Sequence, residues 1–300
     1  MAGTARRRRL SVGQSAVTLD EPINALISYH YFARSDLNKL TDLGLRVIGD
    51  SGAFSAANKG AHIDLGAFAD WITQWRHVLY WVASLDVIGD REASWANWQR
   101  LRDLGHDTVP TLHYGTDPTA LDRYGEAGVS LVGLGGMVAY KTEQGRLLRW
   151  CAVVMRYARD HWPTMRFHGW GVTQPQLLVN LPWWSVDSTT FTRPARYGQL
   201  PLFDPDRGRM VHLLMNGRQV AGQRRLLERH YGLTDWRAVS QSRGSEAGRA
   251  TTLLAMRSMQ LWERYLIARH AVTPPPGFTE PGTRIHLACV PGNVKALEEE

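Results

Sequence analysis

The stretch LRVIGDSGAFSAANKGAHIDLGAFADWITQWRHVLYWVASLD (45–86) decides the fold. It opens on a short apolar run ending in a carboxylate, LRVIGD (45–50), and closes on a second such run, WVASLD (81–86). Between them LGAFADWITQWRHVL (65–79) repeats its apolar residues at helical spacing. Two strands joined through a helix must pair in parallel, because a tight turn cannot bring the chain back to the same end. Outward from this unit the pattern recurs. INALISY (23–29) precedes it, and TVPTLHY (108–114), VSLVGLGG (129–136), MRFHGWG (165–171) and WWSVD (183–187) follow, with RMVHLLM (209–215) the candidate for an eighth strand. SWANWQRLRDLG (94–105) and EQGRLLRWCAVVMRYARDH (143–161) supply further helices. Seven or eight such units predict an α/β chain folded as a (β/α)₈ TIM barrel rather than an open doubly wound sheet, and no GxGxxG follows the first strand.

The flanks divide the chain further. Residues 1–20, with Arg6 to Arg9, read as a basic flexible arm free to reach phosphate, and 21–215 as the barrel core. Residues 216–270 read as an Arg-rich helical extension completing the barrel. Residues 271–300 combine a Pro/Gly-rich linker, TPPPGFTEPGTR (273–284), with an acidic tail.

The net charge is +7, from 35 Lys and Arg against 28 Asp and Glu, and most of the cations are arginine. Arginine forks match phosphate and stack on bases, so a polyanionic partner is expected, although arginines on a helix also serve as a solvated face. Cys151 and Cys289 are the only cysteines, which excludes both a disulfide framework and a four-cysteine zinc site. Two free thiols, no apolar run behind the N-terminal arginines and no span of membrane length together predict a cytoplasmic protein without membrane contact.

In a βα fold the strand C-termini are where chemistry gathers. Here they carry Tyr29 and His30, Asp50, Asp86, His113, Gly135 and Gly136, Gly169 to Gly171, and Asp187. A lone Asp after a strand commonly caps the next helix. Three of them around one mouth are harder to explain as caps alone.

Taken in order, Asp50 in GDSGAF, Asp86 in SLDVIGD, LGGM (134–137), HGWGVT (168–173) and SVDSTTFTRPARYGQLPLF (185–203) resemble the tRNA-guanine transglycosylase family. Within that family they are most similar to the phage and bacterial relatives that insert 7-deazaguanines into DNA. The likeness runs from about residue 45 to 203 in motif form and loosely through 247–270, and it rests on the ordered set of five motifs, since DSGxF alone is weak. It implies a base-exchange glycosyltransferase without cofactor or metal. Asp187 would attack C1′ and hold the sugar covalently, as retaining glycosidases do. Asp50 would move the proton on and off the base nitrogen, and Asp86 would accept the N1–H and 2-amino donors of guanine. Gly135 and Gly136 would offer backbone N–H groups to O6. Phe54, which on its own reads as a core residue, would stack on the base, with a side chain from His168, Gly169 or Trp170 on the other face.

Departures from the family pattern shape the substrate expectation. His113 stands where the family has glutamine, so the incoming base, a preQ0-like or an aminomethyl 7-deazaguanine, stays open. Residues 215–247 contain no Cys where the tRNA enzymes hold zinc, so the Arg-rich helices are expected to replace that subdomain. The antiparallel sheet that usually precedes the barrel is also expected to be missing, as is an RNA-binding domain. These losses point to DNA, with the target base flipped out. Tyr29, Trp170, Trp183 and Trp184 are candidates to fill the gap. Arg193, Arg196, Arg218, Arg224 and Arg225 are candidates to hold phosphate, and the loss of the zinc region points to a monomer. Exchange on tRNA, or a barrel that binds nucleobases or nucleic acid without catalysis, stay open as alternatives. A metal-dependent barrel hydrolase would want an HxH pair, which the sequence lacks.

Overall fold

A computed structural model describes residues 6–12, 14–214, 217–235 and 244–298. Its centre is an eight-stranded parallel sheet of β3 (Ile23–Ser28), β4 (Leu45–Asp50), β5 (Leu79–Val82), β6 (Thr111–His113), β7 (Leu131–Gly135), β8 (Arg166–Gly169), β9 (Ser185–Ser188) and β12 (Arg284–Ala288). Each strand neighbours the next in chain order, and β12 returns to pair with both β9 and β3. The sheet curls until its two edges meet. Ala83 bridges Val109, with Ser84 N–H donating to Val109 O and Val109 N–H to Val82 O, each at 2.8 Å. The architecture is therefore TIM-barrel-like.

The layering follows from burial. β3 and β7 are buried along their whole length, as strands covered on both faces must be. Outside them, helix Leu65–Trp75 turns Phe68, Trp71, Ile72 and Trp75 inward, and Asp64 caps it by accepting from Ala67 N–H at 2.8 Å. Helix Gln144–His161 buries Leu147, Cys151, Val154, Met155 and Ala158, an i, i+4, i+7 stripe. Leu26, Ile48, Trp81, Val109, Leu131 and Trp184 form a second cluster inside the barrel. There β7 has Gly133, where a Cβ would stand 2.1 Å from Trp170 Nε1, so the indole lies directly on the strand backbone.

Three expectations are corrected. RMVHLLM is not the eighth barrel strand. Arg209–Leu214 (β11) pairs antiparallel with Gln199–Asp204 (β10), and its half-exposed pattern suits a hairpin lying outside the barrel. The eighth strand is RIHLA (284–288), inside the segment read as linker and tail. Its neighbour TPPPGFTEPGT closes the bottom of the barrel: Phe278 packs on Trp184 and Tyr80, and Trp184 Nε1–H donates to Glu280 O at 3.0 Å. The Arg-rich segment is thus not a C-terminal extension but part of the crossover between β9 and β12.

The basic arm is corrected too. Arg7–Val12 (β1) and Ser15–Asp20 (β2) form an antiparallel hairpin ahead of the barrel, so the preceding antiparallel element is present after all. Leu10, Val12, Val17 and Leu19 alternate into the core, which fixes the register. Arg8 is not free for phosphate, because its guanidinium donates to Leu43 O (3.1 Å) and Leu297 O (2.8 Å). Arg7 lies 3.6 Å from Asp20, which also pairs with Arg257 at 2.8 Å and with Arg264 on helix Gly244–His270. Among the described residues no helix is long and apolar enough to cross a membrane.

Candidate active site

Side chains alternate faces along a strand, so residues two apart share the barrel interior. Asp50, two residues above Ile48, and Asp187, two above Ser185, therefore stand at its C-terminal mouth. Asp86 joins them from the loop after β5, and the charges of both Asp86 and Asp187 reach Asp50. The three carboxylates predicted from the sequence thus converge.

Their environments differ. Burial first, and then the charges of Asp86 and Asp187, push Asp50 up to about 7, against the Gly52 N–H that donates to its Oδ2 at 3.0 Å. Burial also pushes Asp86 up to about 7, although Thr111 hydrogen-bonds to it. Near neutrality each can hold or release a proton. Asp187 is 8 % exposed, and its Oδ1 accepts from Gly171 N–H at 2.7 Å.

The predicted base-contacting residues surround this centre. His113, whose pKa burial lowers, points Nε2 at Asp86 Oδ2 from 3.6 Å. Gly135 and Gly136 end β7 beside it, and Gly136 takes φ +73°, which turns the chain out of the strand. Phe54 is 58 % exposed after β4, so it is not the core residue its spacing alone would suggest. Trp170 is partly exposed above Gly133, and its Nε1–H donates to Thr111 Oγ1 at 3.1 Å. His168 and Gly169 are fully enclosed beneath it, with Gly169 packed on Val172 and Trp183. Neither presents a surface to a base in this arrangement.

The gap-filling candidates fare unevenly. Trp183 and Trp184 are buried core residues, tied by their indole N–H groups to Leu177 O (3.1 Å) and Glu280 O (3.0 Å), which corrects their placement at the mouth. Tyr29 packs edge-on against Phe68 and Trp71. Of the phosphate candidates, Arg193 is partly exposed and its charge reaches His212. Arg224 pairs with Glu228 at 2.6 Å, whereas Arg225 is exposed. The side chains of Arg196 and Arg218 lie outside the described residues.

Three contributors, Thr111, Ser185 and His286, escaped the sequence, and the role of Gly171, read there only as a strand-end residue, came with the structure. Gly171 holds Asp187 through its backbone. Thr111 links Trp170 to Asp86. Ser185 meets the His168 ring at 2.8 Å, and the i, i+2 spacing from Asp187 was a signal for it. His286, opposite Asp187 in the β12–β9 register, was invisible because its strand was not recognised. Among the described residues no group of three or more His, Cys, Asp or Glu is gathered as a metal site requires. No family model, no curated protein and no solved structure matches the chain.

Proposed function

We propose that this chain exchanges guanine in DNA for a 7-deazaguanine through a covalent sugar intermediate on Asp187. The observation that carries the reading is the convergence of Asp50, Asp86 and Asp187 on one strand-end mouth, each with a different hydrogen-bond partner. Base exchange at one carbon needs a nucleophile, a proton carrier and a reader of the base, and three carboxylates fill these roles.

Asp187 attacks C1′ as the bond from C1′ to N9 breaks. The electron pair goes to N9, which takes the proton held by Asp50, and neutral guanine leaves. The incoming base returns its N9 proton to Asp50 and displaces the Asp187 carboxylate, so the polymer is never cut. A carboxyl pushed up to about 7 suits Asp50 to both transfers. Asp86 takes the N1–H and 2-amino donors, with His113 beside it and Phe54 supplying an exposed ring to stack on the base.

DNA is favoured over tRNA because the crossover segment 215–247 lacks cysteine, so the Arg-rich helices take the place of a zinc subdomain. Arg193, Arg224 and Arg225 are the described candidates for phosphate, Arg224 already paired with Glu228. The test incubates duplex DNA and tRNA separately with labelled guanine. Incorporation into DNA, abolished in Asp187→Ala and Asp50→Ala, is expected; full exchange by Asp187→Ala would sink the covalent mechanism, and incorporation into tRNA alone would reverse the choice of polymer.

A further inference from the structure

Beneath Asp187 lies a histidine that the proposed chemistry does not use. His168 sits on β8 with no exposed surface. Its ring is wedged between Trp81 (centroids 5.0 Å) and Trp170 (4.2 Å), with His286 at 6.0 Å. Nδ1 lies 2.8 Å from Ser185 Oγ. Nε2 is buried without a hydrogen-bond partner, and Asp187 Oδ1 is 3.5 Å away. An apolar side chain would fill this space without the cost of burying a polar ring, so the unsatisfied nitrogen asks for a purpose.

We infer that His168 is a positioning residue for Asp187: with the Gly171 N–H it holds Oδ1, and so leaves Oδ2 as the oxygen that bonds to the sugar. This rests on Asp187 being the nucleophile. Burial lowers the pKa of His168, so the ring is neutral and carries one N–H. A carboxylate offers only acceptors, which places that hydrogen on Nε2 and makes Nδ1 the acceptor of the Ser185 hydroxyl. Oδ1 then faces two donors, Gly171 N–H at 2.7 Å and the His168 N–H at 3.5 Å. The second is long in the free protein, as hydrogen bonds of active sites often are before substrate binds. When the sugar is bound, Oδ1 is the carbonyl oxygen of the ester. When the incoming base attacks, the C1′–Oδ2 bond breaks and its electron pair returns to the carboxylate, where both donors receive the charge. A neutral donor does this without neutralising the nucleophile beforehand.

The test compares His168→Leu, His168→Gln and His168→Asn in DNA base exchange, with Asp187→Ala alongside. Gln carries an amide N–H about as far as Nε2; Asn stops near Nδ1. Leu is expected to lower kcat about 10²-fold with KM for DNA unchanged, and Gln to recover most of it. Asn is expected to stay at least about tenfold below Gln. Wild-type kcat in the Leu variant, with Asp187→Ala inactive, overturns the inference and leaves the covalent mechanism standing. Activity in Asp187→Ala overturns that mechanism and this inference with it. Should Leu fail to fold, Gln against Asn decides: equal kcat values overturn the inference, and the expected gap supports it.

Discussion

His113 Nε2 stands 3.6 Å from Asp86 Oδ2, at the joint between β6 and the loop after β5. A half-buried carboxylate beside a half-buried imidazole makes a polar edge whose hydrogen-bonding sense depends on both protonation states. Asp86→Asn turns one acceptor into a donor facing the N1–H of guanine. Exchange of labelled guanine should fall by about 10²-fold or more, because a mismatched buried polar edge is far costlier than a lost methyl group. An Asp86→Asn enzyme that still takes guanine at the wild-type rate removes Asp86 from base reading.

The pH profile of kcat/KM should be bell-shaped around neutrality. Reading guanine needs Asp86 ionised, and releasing it needs Asp50 protonated, while burial pushes both to about 7. Activity should therefore fall below neutrality as Asp86 takes a proton, and above it as Asp50 loses one. The two limbs belong to the coupled pair rather than to either residue. A profile flat from about pH 5 to 9 contradicts this assignment.

Asp50 also links stability to pH. Its folded pKa, about 7, lies above its ordinary 3.8, so the folded state holds the proton more tightly than the unfolded chain. Its stabilising contribution is complete below about pH 4 and is lost as pH rises through about 7. Asp50→Asn should thus raise stability by roughly 1–3 kcal/mol at about pH 8 and change it little at about pH 4, read by thermal unfolding at both. Equal effects at the two pH values would contradict a buried charge there.

Leu287 is 2 % exposed on β12, whereas Leu214 on β11 is 47 % exposed. Leu287→Ala should cost about 2–4 kcal/mol, because it empties a site between β9 and β3. Leu214→Ala should stay within about 0.5 kcal/mol. Denaturant midpoints measure both, and the reverse order would return the eighth barrel strand to residues 209–215.

Gly133→Ala should destabilise by about 1–3 kcal/mol, since its Cβ would meet Trp170 Nε1 at 2.1 Å and force the indole off Thr111. Base exchange should fall too, because Thr111 is the hydroxyl bonded to Asp86. A variant of wild-type stability and activity would show that the Trp170–Thr111–Asp86 chain is dispensable.

Seven of the eight barrel strands were legible in the sequence because an apolar run flanked by an amphipathic helix carries its own period. The positions of Asp50, Asp86 and Asp187 followed from the same rule, since each ends or closely follows one of those runs. What the sequence left undecided was long-range. RIHLA is too short and too close to a Pro-rich stretch to announce itself, and only the gap between β9 and β3 makes it a strand. RMVHLLM has the composition of a strand, but composition does not choose between a barrel neighbour and a hairpin partner; the pairing with Gln199–Asp204 does. Likewise Arg6 to Arg9 read as a phosphate-seeking arm until a hairpin register turned Leu10 and Val12 inward and left Arg8 between two backbone carbonyls. Local periodicity determined where the carboxylates stand along the chain. Tertiary packing alone decided how deeply each is buried and which donors hold it, because desolvation and hydrogen bonding are made by neighbours that the chain brings in from afar.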